Sequence, residues 1–122
     1  MSDTVSQNSP YNILVTGSSG FIGKKLLKKL TDSGFTVTAM SRSKYPDTEN
    51  VKRVQADAFD VNSLIAATEG IETAYYLLHS MEGSKKDWAE FANREKQQAQ
   101  NFLKAATDSG VKRIIYLGGL VN

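Results

Sequence analysis

The chain has 122 residues, of which 40% are hydrophobic and 23% charged, with a formal net charge of +2; this is the profile of one ordinary globular domain, not of a nucleic-acid binder. It contains no cysteine and a single histidine, which excludes disulfides, thiolate chemistry, Cys-ligated metals and a His-rich metal cluster, so no metal site is expected. No apolar run approaches the roughly 20 residues of a membrane span, and the polar opening, residues 1–10, has no signal-peptide core. The expectation is a cytoplasmic protein with no membrane partner, a disordered lead-in over 1–10 and one domain over 11–122.

Strand and helix patterns then alternate with short connectors, the sequence form of a doubly wound parallel sheet with helices on both faces. The first strand reads Asn12 to Thr16 and empties into a helix from about Gly20 to Asp32, where Phe21, Ile22, Leu26, Leu27 and Leu30 recur at helical spacing. Ser33-Gly34 stops that helix. Phe35 to Met40 is the second strand, and Ser41 to Asn50, polar and carrying Pro46, is a loop. Val51 to Gln55 makes a short third strand, after which Asp60 or Asn62 caps a helix to about Glu69 with Leu64, Ile65 and Ala67 facing inward.

Thr73 to Leu78 is a continuous apolar strand suited to the centre of a parallel sheet. A helix from about Lys85 to Ser109 follows, with Trp88, Phe91, Ala92, Glu95, Ala99, Phe102, Leu103 and Ala106 near one stripe, and Arg113 to Leu117 is the fifth strand. Right-handed crossovers give the order 3-2-1-4-5, with ligand at the carboxyl ends where that order reverses.

The chemistry is concentrated in the turn after the first strand. Gly17, Gly20 and Gly23 answer three needs of a dinucleotide site: a tight turn, backbone close to a pyrophosphate, and close packing of the new helix on the sheet. The helix N-terminus adds unpaired N–H groups and partial positive charge, so Gly17, Ser18, Ser19, Gly20, Phe21, Ile22 and Gly23 are candidate phosphate contacts. Lys24, Lys25, Lys28 and Lys29 read as the solvent face of that helix, with a steering effect on an anionic ligand.

Thr16-Gly-Ser-Ser-Gly-Phe-Ile-Gly23 resembles the T-G-x-x-G-x-[IL]-G turn of the short-chain dehydrogenase/reductase superfamily. The order of Arg42, Asp57, Tyr75-Tyr-Leu-Leu-His-Ser80 and Lys112-Arg-Ile-Ile-Tyr-Leu-Gly-Gly119 is similar to its extended and atypical members, the nucleotide-sugar-epimerase-like and NmrA-like proteins, across nearly all of the chain after Tyr11. The resemblance implies an NAD(P)-binding Rossmann domain. It places Asp57 near the adenine with Ala58 and Phe59 as a wall, and Leu77, Leu78 and His79 along the ribose and pyrophosphate; Asp57 as a simple turn former is the other reading. His79 reads as a structural donor or cofactor neighbour more readily than as a proton carrier.

An acid at the end of the second strand would accept from an adenosine ribose and repel a 2′-phosphate, but the sequence there is Met40-Ser41-Arg42-Ser43-Lys44. NADP is therefore expected over NAD, with Arg42 as a planar fork for phosphate and Ser41 beside it; solvated loop charges are the alternative.

Hydride transfer in the superfamily uses a tyrosine with a lysine four residues on. Here the residues four after Tyr11, Tyr45, Tyr75, Tyr76 and Tyr116 are Val15, Glu49, His79, Ser80 and Leu120, and Leu117-Gly118-Gly119 stands where a serine or threonine is usual. No catalytic residue is assigned. The expectation is an NADP(H)-binding domain of an atypical reductase- or epimerase-like protein, truncated on its C-terminal side, acting on an unknown small molecule and completed by a missing portion or by homo-oligomerisation. A non-catalytic NADP(H)-sensing or scaffold module is the alternative.

Overall fold

The computed structural model describes residues 11–77 and 88–116. Within them the chain forms β1 (Ile13–Val15), α1 (Phe21–Asp32), β2 (Val37–Ser41), β3 (Val51–Gln55), α2 (Val61–Thr68), β4 (Thr73–Tyr76), α3 (Trp88–Ser109) and β5 (Arg113–Tyr116). All five strands are parallel, in the order β3-β2-β1-β4-β5, the topology that the alternating pattern predicts. The expected lead-in, the start of the long helix at Lys85, and Leu78 and Leu117 at two strand ends lie outside the described residues.

The register sets which side chains share a face. Leu14 lies between Thr38 and Ala74, and Val15 between Ala39 and Tyr75, so strand alternation sends Leu14, Met40, Ala74 and Tyr76 to one side and Val15, Val37, Ala39 and Leu77 to the other. The first set packs with Leu64 and Ala67 of α2 and Phe102, Ala105 and Ala106 of α3. The second packs with Leu27 and Leu30 of α1. Two cores on opposite faces of one sheet are what right-handed crossovers produce when the chain reverses direction beside β1.

Local chemistry fixes the element ends. Asp60 caps α2, its side chain accepting from the N–H groups of Asn62 and Ser63, which decides between the two cap candidates. At the end of α1 the Phe35 N–H donates to the Leu30 carbonyl and the Gly34 N–H to that of Thr31, with Gly34 at φ +95°. This six-to-one and five-to-two pair consumes Phe35 in the helix stop. The second strand consequently begins at Val37, two residues later than expected, and Phe35 stays 49% exposed.

Two helical faces differ from the spacing-based expectation. Phe21 and Ile22, in the first turn of α1, are 72% and 50% exposed. Among the described side chains of α3, Ala92, Ala99 and Leu103 face solvent while Asn101, Phe102, Ala105 and Ala106 are buried; the expected stripe members Trp88 and Phe91 have side chains outside the described residues. Ile114 and Tyr116 of the edge strand β5 are 38% and 59% exposed.

Tyr76 packs between Phe102 and Tyr116, at ring separations of 5.1 and 5.5 Å. Burial, then the nearby Glu95 carboxylate and then Tyr116, raises its phenol well above the ordinary value of 10.0. Above about pH 10 the unfolded chain ionises this tyrosine while the folded chain keeps it protonated, so stability falls as pH rises. Denaturation midpoints across pH 8 to 11 are expected to drop less steeply for Tyr76→Phe than for the parent. Asp60→Ala is expected to cost about 0.5–2 kcal/mol in urea unfolding by removing the α2 cap.

Candidate dinucleotide site

The carboxyl ends of β1 and β4 are adjacent, and the chain leaves them toward opposite faces of the sheet, opening a crevice at the strand ends. Thr16 closes its floor. Fully buried, it takes the Tyr75 carbonyl with both its N–H (3.1 Å) and its hydroxyl (3.2 Å), and its Oγ1 accepts the Leu77 N–H at 2.8 Å. One side chain thereby ties the ends of β1 and β4 together.

The glycine turn is built on two close approaches. Gly17 has φ +61°, and a Cβ on it would press on the Leu77 carbonyl oxygen at 3.3 Å. A Cβ on Gly23 would fall on the Gly17 carbonyl oxygen and within 2.8 Å of the Ser18 Cα. Helix α1 therefore sits directly against the turn that starts it. Gly20 occupies the N-cap without a side-chain hydrogen bond, and the first helical bond runs from the Lys24 N–H to the Gly20 carbonyl at 2.9 Å. The N–H groups of Phe21, Ile22 and Gly23 thus receive no side-chain cap, and Ser19, Gly20 and Phe21 around them are exposed. An exposed turn kept free of side chains at Gly20, with uncapped N–H donors at a helix N-terminus, fits a pyrophosphate.

Ser18 differs from its neighbours. Its side chain is buried, and both its N–H (3.2 Å) and its hydroxyl (2.9 Å) donate to the Met40 carbonyl, so its hydroxyl links β1 to β2 inside the fold. Ser41 is also buried and donates to the Ser43 carbonyl at 2.8 Å, shaping the loop in which Arg42 is exposed. Gln55 Nε2 donates to the Arg42 carbonyl at 3.0 Å.

After β3 the Asp57 carboxylate accepts the Phe59 N–H at 2.9 Å, the bond of a turn former, while the residue itself stays exposed. Ala58 is buried, and Phe59 is 41% exposed beneath the Arg94 guanidinium, 5.0 Å from its ring centre. Leu77 is buried in the α1-side core. Leu78 and His79 lie outside the described residues.

Composition and spacing gave no sign of the support for this loop. Asn101 of α3 is buried and donates to the Ala58 carbonyl at 2.9 Å, and Gln97 Nε2 donates in turn to Asn101 Oδ1 at 2.9 Å. The stripe read from helical spacing did not include Asn101. Ser63 similarly takes the Asp57 N–H at 3.0 Å and donates toward the Asp60 carbonyl at 2.9 Å. Among the described residues there is no group of three or more His, Cys, Asp or Glu suited to a metal ion, and no helix long and apolar enough to cross a membrane.

A parallel five-stranded sheet, a glycine cradle at the switch point and a helix N-terminus above it define a Rossmann-type dinucleotide-binding domain. A family model described as NAD(P)H-binding matches residues 17–121, and the chain belongs to that family. A 2-alkyl-3-oxoalkanoate reductase of Stenotrophomonas maltophilia is 27% identical over 85% of this chain and 32% of its own length. A 3 beta-hydroxysteroid dehydrogenase/Delta 5-->4-isomerase of Mycobacterium tuberculosis is 30% identical over 85% of this chain and 30% of its own. The chain spans about a third of the length of these relatives.

Among solved structures, a nucleoside-diphosphate-sugar epimerase from Staphylococcus aureus superposes with a TM-score of 0.72 at 25% identity, covering 88% of this chain and 37% of that one. MoeE5 in complex with UDP-glucuronic acid and NAD superposes with a TM-score of 0.70 at 30% identity, covering 86% and 36%. These are extended reductases and epimerases of the short-chain dehydrogenase/reductase type, the superfamily that the T-G-x-x-G-x-x-G turn resembles.

Gly23→Ala is expected to lower stability toward the upper end of the about 1–3 kcal/mol typical of overpacking, because backbone, not a flexible side chain, stands where the methyl would go. Asn101→Ala is expected to cost about 1–3 kcal/mol by stranding the Ala58 carbonyl. Chemical denaturation checks both.

Proposed function

We propose that this domain binds NADP(H) in preference to NAD(H) and serves as the cofactor portion of an atypical reductase- or epimerase-like protein. The observation that carries the preference is the exposed Arg42-Ser43-Lys44 segment at the end of β2, where an adenosine ribose partner would otherwise be acidic. Arg42 is exposed, its carbonyl is held by Gln55, and Ser41 shapes the turn behind it. A guanidinium anchored by its own backbone and free at its tip suits a 2′-phosphate.

In this reading the pyrophosphate lies over Gly17, Ser18, Ser19, Gly20, Phe21, Ile22 and Gly23, the adenine beside Asp57 and Ala58, and Leu77, Leu78 and His79 along the ribose and pyrophosphate. Bound there, the dinucleotide supplies or accepts a hydride; the residues of this chain hold and orient it. No tyrosine in the chain is followed four residues later by lysine. The relatives are about three times the length of this chain, and in this reading the groups that bind a small-molecule substrate and move its proton lie outside the residues that hold the dinucleotide.

Titration with NADPH and NADH, followed by cofactor fluorescence or calorimetry, tests the proposal. Tighter NADPH binding is expected. Arg42→Ala should remove about 1.5–3 kcal/mol from NADPH binding and leave NADH nearly unchanged, the loss of a charge-assisted contact. Failure of both dinucleotides to bind sinks the reading, and equal weakening of both by Arg42→Ala sinks the 2′-phosphate assignment.

A further inference from the structure

Helix α1 turns a cationic half toward solvent. Gly23, Leu27 and Leu30 are buried and Leu26 is half-buried, while Lys24, Lys25, Lys28 and Lys29 are exposed together with Phe21 and Ile22. Residues three, four and seven apart share a helix face. Phe21 therefore heads a stripe of Lys24, Lys25 and Lys28, and Ile22 heads one of Lys25 and Lys29.

Most of these charges are not spent inside the fold. The ion pairs among the described residues are Lys28–Asp32, at 3.0 Å, and Lys104–Asp108, and neither includes Lys24, Lys25 or Lys29. Asp32 is the one acid on α1, at the far end from Phe21. Phe21 is the most exposed large apolar residue described, and Lys25 Nζ lies 5.1 Å from its ring centre, so ring and ammonium stand side by side at the surface. Past the other end of the helix Phe35 is exposed as well. Lysines in this density attract an anionic surface, and apolar side chains among them can enter the headgroup boundary. The outside of a single helix is convex and offers breadth without a groove. A bilayer surface needs only that breadth, whereas a peptide needs a path.

We propose that the outward face of α1 is a peripheral docking surface for an anionic lipid bilayer. Lys24, Lys25, Lys28 and Lys29 reach the headgroups, and the side chains of Phe21 and Ile22 enter the interface. Among the described residues no helix is long and apolar enough to cross a membrane, and the expected lack of a membrane partner concerns spanning segments alone; this contact is with the surface. Because Phe21 follows directly on the glycine turn, docking brings the mouth of the strand-end crevice to the lipid. The assignment does not rest on the NADP(H) reading.

Flotation of the chain with vesicles of phosphatidylcholine alone, and of phosphatidylcholine mixed with phosphatidylserine, tests this. The parent is expected to float with the anionic vesicles only, and to be released at high salt. The double variant Lys28→Gln/Lys29→Gln should weaken that binding by roughly tenfold or more, the factor two lysines carry at an anionic surface. Phe21→Ser should weaken it several-fold with the charge unchanged. Asp32→Asn, which frees Lys28, should strengthen it several-fold, a gain that misfolding does not mimic. Equal binding of the parent to both vesicles, or binding to neither, overturns the proposal. An equal loss from Lys52→Gln/Lys112→Gln, whose exposed lysines lie off α1, overturns it too, because net charge and not this face would then be responsible. A poly-glutamate peptide that binds where anionic vesicles do not assigns the face to an acidic protein and removes the lipid.

Discussion

The site depends on the absence of one atom. Gly23 packs so closely on the Gly17 carbonyl that no Cβ fits between them, and this contact brings the N-terminus of α1 down onto the carboxyl end of β1. From it follow the direction of the helix, the position of its uncapped N–H groups, and the burial of Leu27 and Leu30 against the sheet. Gly17, at φ +61° and pressed toward Leu77, makes the same demand on the other side of the turn. The shape of the glycine turn and the α1-side core are thus consequences of one packing constraint.

Polar side chains do the joining around that constraint. Thr16 ties β1 to β4, Ser18 ties the turn to β2, Gln55 holds the loop after β2, and Asn101 holds the loop after β3. Each adds a hydrogen bond to a backbone group of another segment, at or just beyond the carboxyl ends of the strands. A parallel sheet needs such links there, because its strands end in loops whose carbonyls have no ladder partner. The rim is consequently built from hydrogen bonds between segments distant in sequence, while the two faces below it are apolar.

Much of this was readable from residue order. The strand order, the glycine turn and the exposed basic segment after β2 follow from alternation, spacing and residue type. The departures have specific causes. Phe35 left the second strand because the Gly34 turn uses its N–H to close α1. Leu103 proved exposed and Asn101 buried because the long helix rotates to place an amide against the Ala58 carbonyl, a demand set by a loop some forty residues earlier. Ser18 carries a bond that spacing did not reveal, its hydroxyl donating to the Met40 carbonyl.

The amino-acid sequence by itself determined the fold class, the place of the glycine turn and the family, because these depend on local periodicity and on glycines whose lack of a side chain acts within a few residues. The tertiary structure decided which polar groups support the loops around the sheet ends and which are left without a partner. Arg53 and Asn101 look alike in sequence, each a polar residue interrupting an apolar pattern. One meets a carbonyl and is satisfied; the other meets an aromatic face and keeps a donor unpaired. That difference arises from what the sheet and helices bring within hydrogen-bonding range, which no single segment encodes.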